Sequence, residues 1–173
     1  MPVKPVAGVK VMAARLDGAD AKALRETLDQ LLTCPQNQLA FASSGEEGLR
    51  RASELKPDLI LLDVMMPGMD GFEVSRRVRA DAALAEIPVL MITALDDRNS
   101  RLKGIEAGAD DFIQKPFDST ELRARVRTIT GLSRYRKLVA GRARAQWLMD
   151  NSQDATLVVD PLLFVRYMNR AAR

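Results

Sequence analysis

The chain has no histidine, a single cysteine and few aromatics, and each shortage removes a class of chemistry. Without histidine there is no imidazole base, no Ser-His or Cys-His nucleophile pair and no His-ligated zinc. Cys34 alone cannot close an internal disulfide or build a cysteine-rich metal site, so it is expected to be a free loop thiol. No run approaches the roughly 18 apolar residues that span a bilayer, and Met1-Pro2-Val3-Lys4-Pro5 lacks the apolar block of a secretion signal. The expectation is a cytoplasmic protein with no membrane partner.

What is present suits a folded α/β domain. An apolar content of 47% over 173 residues is enough for one domain of ordinary size and a remnant. Charge is uneven. Residues 1–130 hold 18 Lys/Arg against 20 Asp/Glu, and residues 131–173 hold 8 against 3. Arg134, Arg136, Lys137, Arg142 and Arg144 fall in one acid-free stretch. Nucleic acid or anionic lipid is one reading of it and a solvated helix face the other; with no interleaved aromatics or base-reading motif, no nucleic-acid partner is expected.

Five short β-like runs alternate with amphipathic helical stretches: Val9 to Ala14, Leu39 to Ala42, Asp58 to Asp63, Pro88 to Thr93 and Asp110 to Gln114. This pattern predicts a five-stranded parallel, doubly wound sheet over residues 9–130, preceded by a tail at 1–8. In the helix expected from about Asp20 to Leu32, Leu24, Leu28, Leu31 and Leu32 form a packing stripe. Ser44 with Glu47, Asp70 with Glu73 and Asp118 with Glu121 have the spacing of helix N-terminal caps. Gly68, Gly71, Gly104 and Gly108 read as turn and helix-end geometry, without chemistry.

Ligands of open α/β sheets sit at the carboxyl ends of the strands. There the chain puts Asp63, after Leu59-Ile60-Leu61-Leu62; Thr93, after Val89-Leu90-Met91-Ile92; and Lys115, after Asp111-Phe112-Ile113-Gln114. A carboxylate, a hydroxyl and an ammonium are thus expected at one rim. Beyond residue 130 the last helix has no proline stop and is expected to continue as a helical linker over 131–150, toward Trp147 as a junction anchor. Residues 151–173 follow as two short strands, Ala155 to Asp160 and Leu163 to Asn169, too few to bury a core alone.

The run Asp63-Val64-Met65-Met66-Pro67-Gly68-Met69-Asp70-Gly71, with Thr93-Ala94 and Lys115-Pro116-Phe117, resembles the receiver domain of two-component response regulators, with a flavodoxin-like fold. Ile92-Thr93-Ala94-Leu95 and Asp110-Asp111-Phe112 are similar to receivers joined to diguanylate cyclases or hybrid sensor histidine kinases. Trp147 to Ser152, Val158-Val159-Asp160 and Tyr167 to Ala172 resemble the start of a PAS sensor domain that continues past Arg173.

The resemblance implies Asp63 as phosphoacceptor, with Lys115 and Thr93 contacting the phosphoryl oxygens. It implies Thr93 and Phe112 as a two-state switch and the fourth helix, fifth strand and fifth helix as output face. The Lys115-Pro116 bond is usually cis in the family. The receiver is then a phosphoacceptor rather than a conventional enzyme, whatever kinase or cyclase it belongs to. A histidine kinase or phosphotransfer protein is the implied partner, with a homodimer through the C-terminal helix also expected.

No organic cofactor is implied, but Mg²⁺ is, and here the sequence departs from the pattern. The acidic pair that normally follows the first strand is replaced by Arg15-Leu16. Asp63, the backbone carbonyl of Met65 and, one residue late, Asp17 are the remaining metal ligands; Asp17 and Asp20 also suit plain helix-start acids. An Arg15 counter-ion, or a shifted loop that recruits Asp17, are the two outcomes weighed. The first leads to a phosphorylation-independent pseudo-receiver that only docks partners. A phosphatase with an aspartyl nucleophile would need a second acid where Met65 stands.

Overall fold

The computed structural model describes residues 10–14, 26, 38–94 and 98–173. Arg15, Leu16, Asp17, Asp20 and Cys34 lie outside the described residues. So does the stretch expected as the first helix, apart from Glu26, which is helical and exposed.

Five strands form one parallel sheet: β1 (Lys10–Ala14), β2 (Gln38–Ala42), β3 (Leu59–Asp63), β4 (Val89–Thr93) and β5 (Asp111–Gln114), in the order β2-β1-β3-β4-β5. This is the expected flavodoxin-like fold. The strands begin or end within about one residue of the sequence reading. Every residue of β3 and β4 is buried, as the uninterrupted apolar runs require of central strands covered on both faces. Alternation splits their side chains into two layers. Met12, Ile60, Leu62, Val89 and Met91 pack with Ala52, Val74 and Val78 of α1 (Gly45–Leu55) and α2 (Gly71–Ala80). Val11, Leu59, Leu61, Leu90, Ile92 and Ile113 pack with Leu122, Val126 and Ile129 of α4 (Ser119–Asp150). Helix α3 (Arg98–Glu106) lies between β4 and β5 in the chain.

Helix starts follow the cap spacings. Ser44 Oγ accepts from the Glu47 N–H and Asp70 Oδ1 from the Glu73 N–H, while Asp118 Oδ1 accepts from both Thr120 and Glu121. Those two N–H groups hold the Asp118 carboxyl below its usual range. Glu47 reaches back one residue further than a reciprocal box would, to the N–H and hydroxyl of Ser43. These bonds, with Arg51 adding charge, lower its pKa to about 2.

Contacts divide the chain after Ser133. Helix α4 is continuous for 32 residues, so the absence of a proline stop was informative. In the second unit, Arg134–Arg173, the helix end is followed by an antiparallel hairpin of β6 (Leu157–Val159) and β7 (Val165–Met168). Both strands are shorter than the sequence reading. Asp160 closes the turn instead of extending β6: its N–H donates to the Phe164 carbonyl while its carboxylate accepts from the Leu162 and Phe164 N–H groups, and the register shifts between Val158 and Val159. No helix among the described residues is long and apolar enough to cross a membrane.

Candidate functional site

At the carboxyl rim of the sheet β3 ends on Asp63, β4 on Thr93 and β5 on Gln114, one residue before Lys115. The parallel register pairs Asp63 with Ile92 and Thr93 with Gln114, so the three chemical side chains leave adjacent strands at the same end, each one residue further along than the last. The Lys115 N–H donates to the Thr93 carbonyl at 2.7 Å, extending the β4–β5 pairing through the lysine. The Lys115–Pro116 bond is cis.

Asp63 is 7% exposed at its side chain and Lys115 15%, and Lys115 Nζ donates to Asp63 Oδ2 at 2.7 Å. A carboxylate that little exposed needs compensation, and an ammonium in direct hydrogen-bond contact provides it. The other oxygen, Oδ1, accepts from the backbone N–H of Met65 at 3.1 Å. Two donors therefore fix the carboxylate plane. Thr93 is buried at the end of the neighbouring strand, and Met65 is 65% exposed at the start of the following loop. The structure thus places Asp63, Thr93, Lys115 and Met65 at one rim.

Phe112 is half-buried on β5 and packs against the core. Its ring reaches α3 at Gly104, where an added Cβ would stand 2.3 Å from Cε1 and 2.6 Å from Cζ. Beside it opens a cavity of about 280 Å³ whose lining includes Thr93, Arg101, Phe112, Lys115, Glu121 and Arg125. Arg125 holds Asp111 with both carboxylate oxygens at 2.7 and 2.8 Å and also grips Glu121. The Asp111 bonds raise the Arg125 pKa. This ion cluster between β5 and α4 was invisible to sequence reasoning, since Arg125 reads as one more surface cation.

Gly71 was also missed. A Cβ there would lie 2.4 Å from the Asp63 carbonyl oxygen and 2.8 Å from Val64 Cα, both backbone atoms, and its N–H donates to the Val64 carbonyl. Only a residue without a side chain lets α2 start this close to the Asp63 strand end. The sequence signal is Asp70-Gly71, a helix cap followed at once by glycine, in which the glycine by itself reads as turn or helix-end geometry.

The fit of a divalent cation can be tested on this donor set. A magnesium ion prefers six oxygens in octahedral geometry, usually one or two carboxylates among them. Asp63 and the Met65 carbonyl are right in kind, but they bring one carboxylate, and Oδ2 is already engaged by Lys115. Among the described residues no group of three or more His, Cys, Asp or Glu could hold a metal ion. The described residues therefore do not by themselves fit the ion.

The family model of the response regulator receiver domain matches residues 19–127. Response regulator PleD of Caulobacter vibrioides is 47% identical over 111 residues, covering 64% of this chain and 24% of PleD. The transcriptional regulatory protein AfsQ1 of Streptomyces coelicolor is 36% identical over 159 residues, covering 87% of this chain and 69% of AfsQ1. The chain spans about a quarter of the PleD length. Relatives named as transcriptional regulators mean that the expected absence of a nucleic-acid partner is not borne out.

Among solved structures, the chemotaxis protein CheY4 of Vibrio cholerae superposes with a TM-score of 0.64 at 28% identity, over 71% of this chain and 99% of that one. The receiver domain of sensor histidine kinase PA1611 from Pseudomonas aeruginosa, with magnesium in its active-site cleft, superposes at 0.63 and 25% identity, over 72% and 99%. Sheet order, family model and relatives converge, and the chain belongs to the response regulator receiver domain family of two-component signalling.

Proposed function

We propose that Asp63 accepts a phosphoryl group and that its modification is relayed through Thr93, Phe112 and α4 to a C-terminal sensor or output domain. The observation that carries this reading is the 2.7 Å contact of Lys115 Nζ with Asp63 Oδ2 at a rim shared with Thr93. An Asp63 oxygen attacks phosphorus, a bond to phosphohistidine nitrogen or to an acyl oxygen breaks, and an acyl phosphate forms. The migrating group spreads negative charge over its equatorial oxygens, so positioning and charge stabilisation do most of the catalysis. The Met65 N–H orients the carboxylate. Lys115 passes from the carboxylate to a phosphoryl oxygen, and the Thr93 hydroxyl donates to another.

The product carries about −1.5 to −2 charges. That charge draws Thr93 inward, and Phe112 follows into the space beside it, the two-state element of the switch. A histidine kinase or phosphotransfer protein is the donor in this reading, in the cytoplasm. Residues 1–8 are the tail, 9–130 the receiver, 131–150 a helical linker and 151–173 the opening of a PAS-like sensor, within a histidine kinase or cyclase architecture. The linker helix also carries a homodimer contact.

A second reading, a pseudo-receiver that docks partners without chemistry, is favoured by one observation: the described rim offers a single carboxylate, and Arg15-Leu16 follow β1 in the sequence. A guanidinium 4 Å from a carboxylate attracts it by roughly 4 kcal/mol at an effective dielectric near 20, before desolvation. Acetyl phosphate with and without Mg²⁺, read by intact mass, separates the two. The phosphoacceptor reading expects labelling that Asp63→Asn abolishes and that Arg15→Asp makes more strongly Mg²⁺-dependent. Wild-type protein left unmodified under both conditions establishes the docking role instead.

A further inference from the structure

Asn169 is the only buried residue in Arg134–Arg173. Apolar packing therefore does not hold this unit together. Leu157, Val158, Val159, Leu162, Leu163, Phe164 and Val165 are all exposed, and a two-stranded hairpin is marginal in water by itself. What Asn169 does is bond. Its Nδ2 donates to the carbonyls of Met149, in the last turn of α4, and of Asp154, at 2.9 and 2.8 Å. Its Oδ1 accepts from the N–H groups of Thr156 and Ala172 at 2.9 and 3.0 Å.

Two donors and two acceptor sites are all an amide side chain has, and all four are used. The Asn169 N–H adds a backbone bond to the Thr156 carbonyl. Two residues earlier on the same segment, the Tyr167 hydroxyl donates to Asp150 Oδ1, at the final residue of α4. Side chains at and just past β7 thus grip both the backbone and the side chain of the helix end.

From this we infer that Asn169, with Tyr167, is a clamp that makes the last turn of α4 and the hairpin open and close as one cooperative unit. A shift at the helix end cannot be absorbed by apolar contacts that slide, because the link consists of directional bonds at one buried hub. The clamp thereby hands motion of α4 to β7. Its role in signalling rests on the relay reading above, whereas its existence does not.

The test is amide hydrogen exchange on the full chain. Asn169→Ala is expected to speed exchange about tenfold at both sides together, at Asn151 and Ser152 and at the paired residues of β6 and β7, with β3 and β4 unchanged. Asn169→Asp keeps the acceptor and loses both donations; protection returns at Thr156 and Ala172 but not at Ser152. Where Asn169→Ala melts residues 134–173 altogether, Tyr167→Phe, which removes one O–H, gives the milder form of the same paired rise. A hairpin that loosens over an unaltered helix end, or no change on either side, overturns the clamp. Failure of the relay reading looks different: a phosphodonor leaves exchange at residues 146–152 unaltered, while the paired response of the variants persists.

Discussion

Gly104→Ala tests whether the Phe112 ring is free to move. The new methyl would stand 2.3 and 2.6 Å from two ring carbons and 3.3 Å from the Met91 sulfur. Carbon atoms pack at about 3.5 to 4.0 Å, so the ring must retreat by roughly 1.2 to 1.7 Å. In a closed core such an insertion costs about 1 to 3 kcal/mol. Two terms oppose that cost. Alanine gains about 0.8 to 1 kcal/mol over glycine inside a helix, and the 280 Å³ cavity beside Phe112 gives the ring somewhere to go.

The expected net destabilisation is therefore below about 1 kcal/mol, together with a displaced ring. Urea unfolding measures the first, and NMR side-chain couplings and shifts of Phe112 measure the second. Combining Gly104→Ala with Phe112→Leu should remove the clash, giving a less-than-additive loss. A loss above about 3 kcal/mol that persists in the Phe112→Leu background would refute the reasoning, because the obstacle would then lie elsewhere than the ring.

Gly71→Ala meets backbone rather than a flexible ring, so it should cost about 2 to 3 kcal/mol in urea unfolding and lower acetyl phosphate labelling by moving the Asp63 strand end. Arg79 donates to the carbonyls of Ala85, Ile87 and Gly108 and to Asp110 Oδ2, so Arg79→Ala should cost about 2 to 4 kcal/mol, and Arg79→Lys should recover only part. The pKa of Glu47 falls from 4.5 to about 2 on folding. Its contribution is thus fully present above the unfolded value and is lost as pH drops from there through about 2; Glu47→Gln should flatten that part of the stability profile.

The rim was legible because β3 and β4 each close an apolar run on one polar residue, Asp63 and Thr93, and Lys115 follows directly on the end of β5. A buried parallel sheet leaves few other places for such residues. Caps were legible for a similar reason, since Ser44, Asp70 and Asp118 act over three residues of local chain. Contacts that depend on distant approach were not. Gly71 and Gly104 look like any turn or helix glycine until Asp63 and Phe112 arrive against them. Arg79 and Arg125 look like surface cations, although one ties three carbonyls together and the other binds two acids. Asn169 looked like the fading end of a strand, and nothing nearby in the sequence announced that Met149, 20 residues back, supplies one of its acceptors.

The β6–β7 ribbon has a practical consequence for anyone handling this polypeptide. Among the described residues each strand pairs only with the other, so both outer margins present main-chain donors and acceptors beside exposed Val, Leu and Phe side chains. Such margins are templates for strand addition from neighbouring molecules. Concentrated solutions should accordingly self-associate through residues 157–168, and a lysine at Val158 or Leu163 should raise the concentration at which they remain clear.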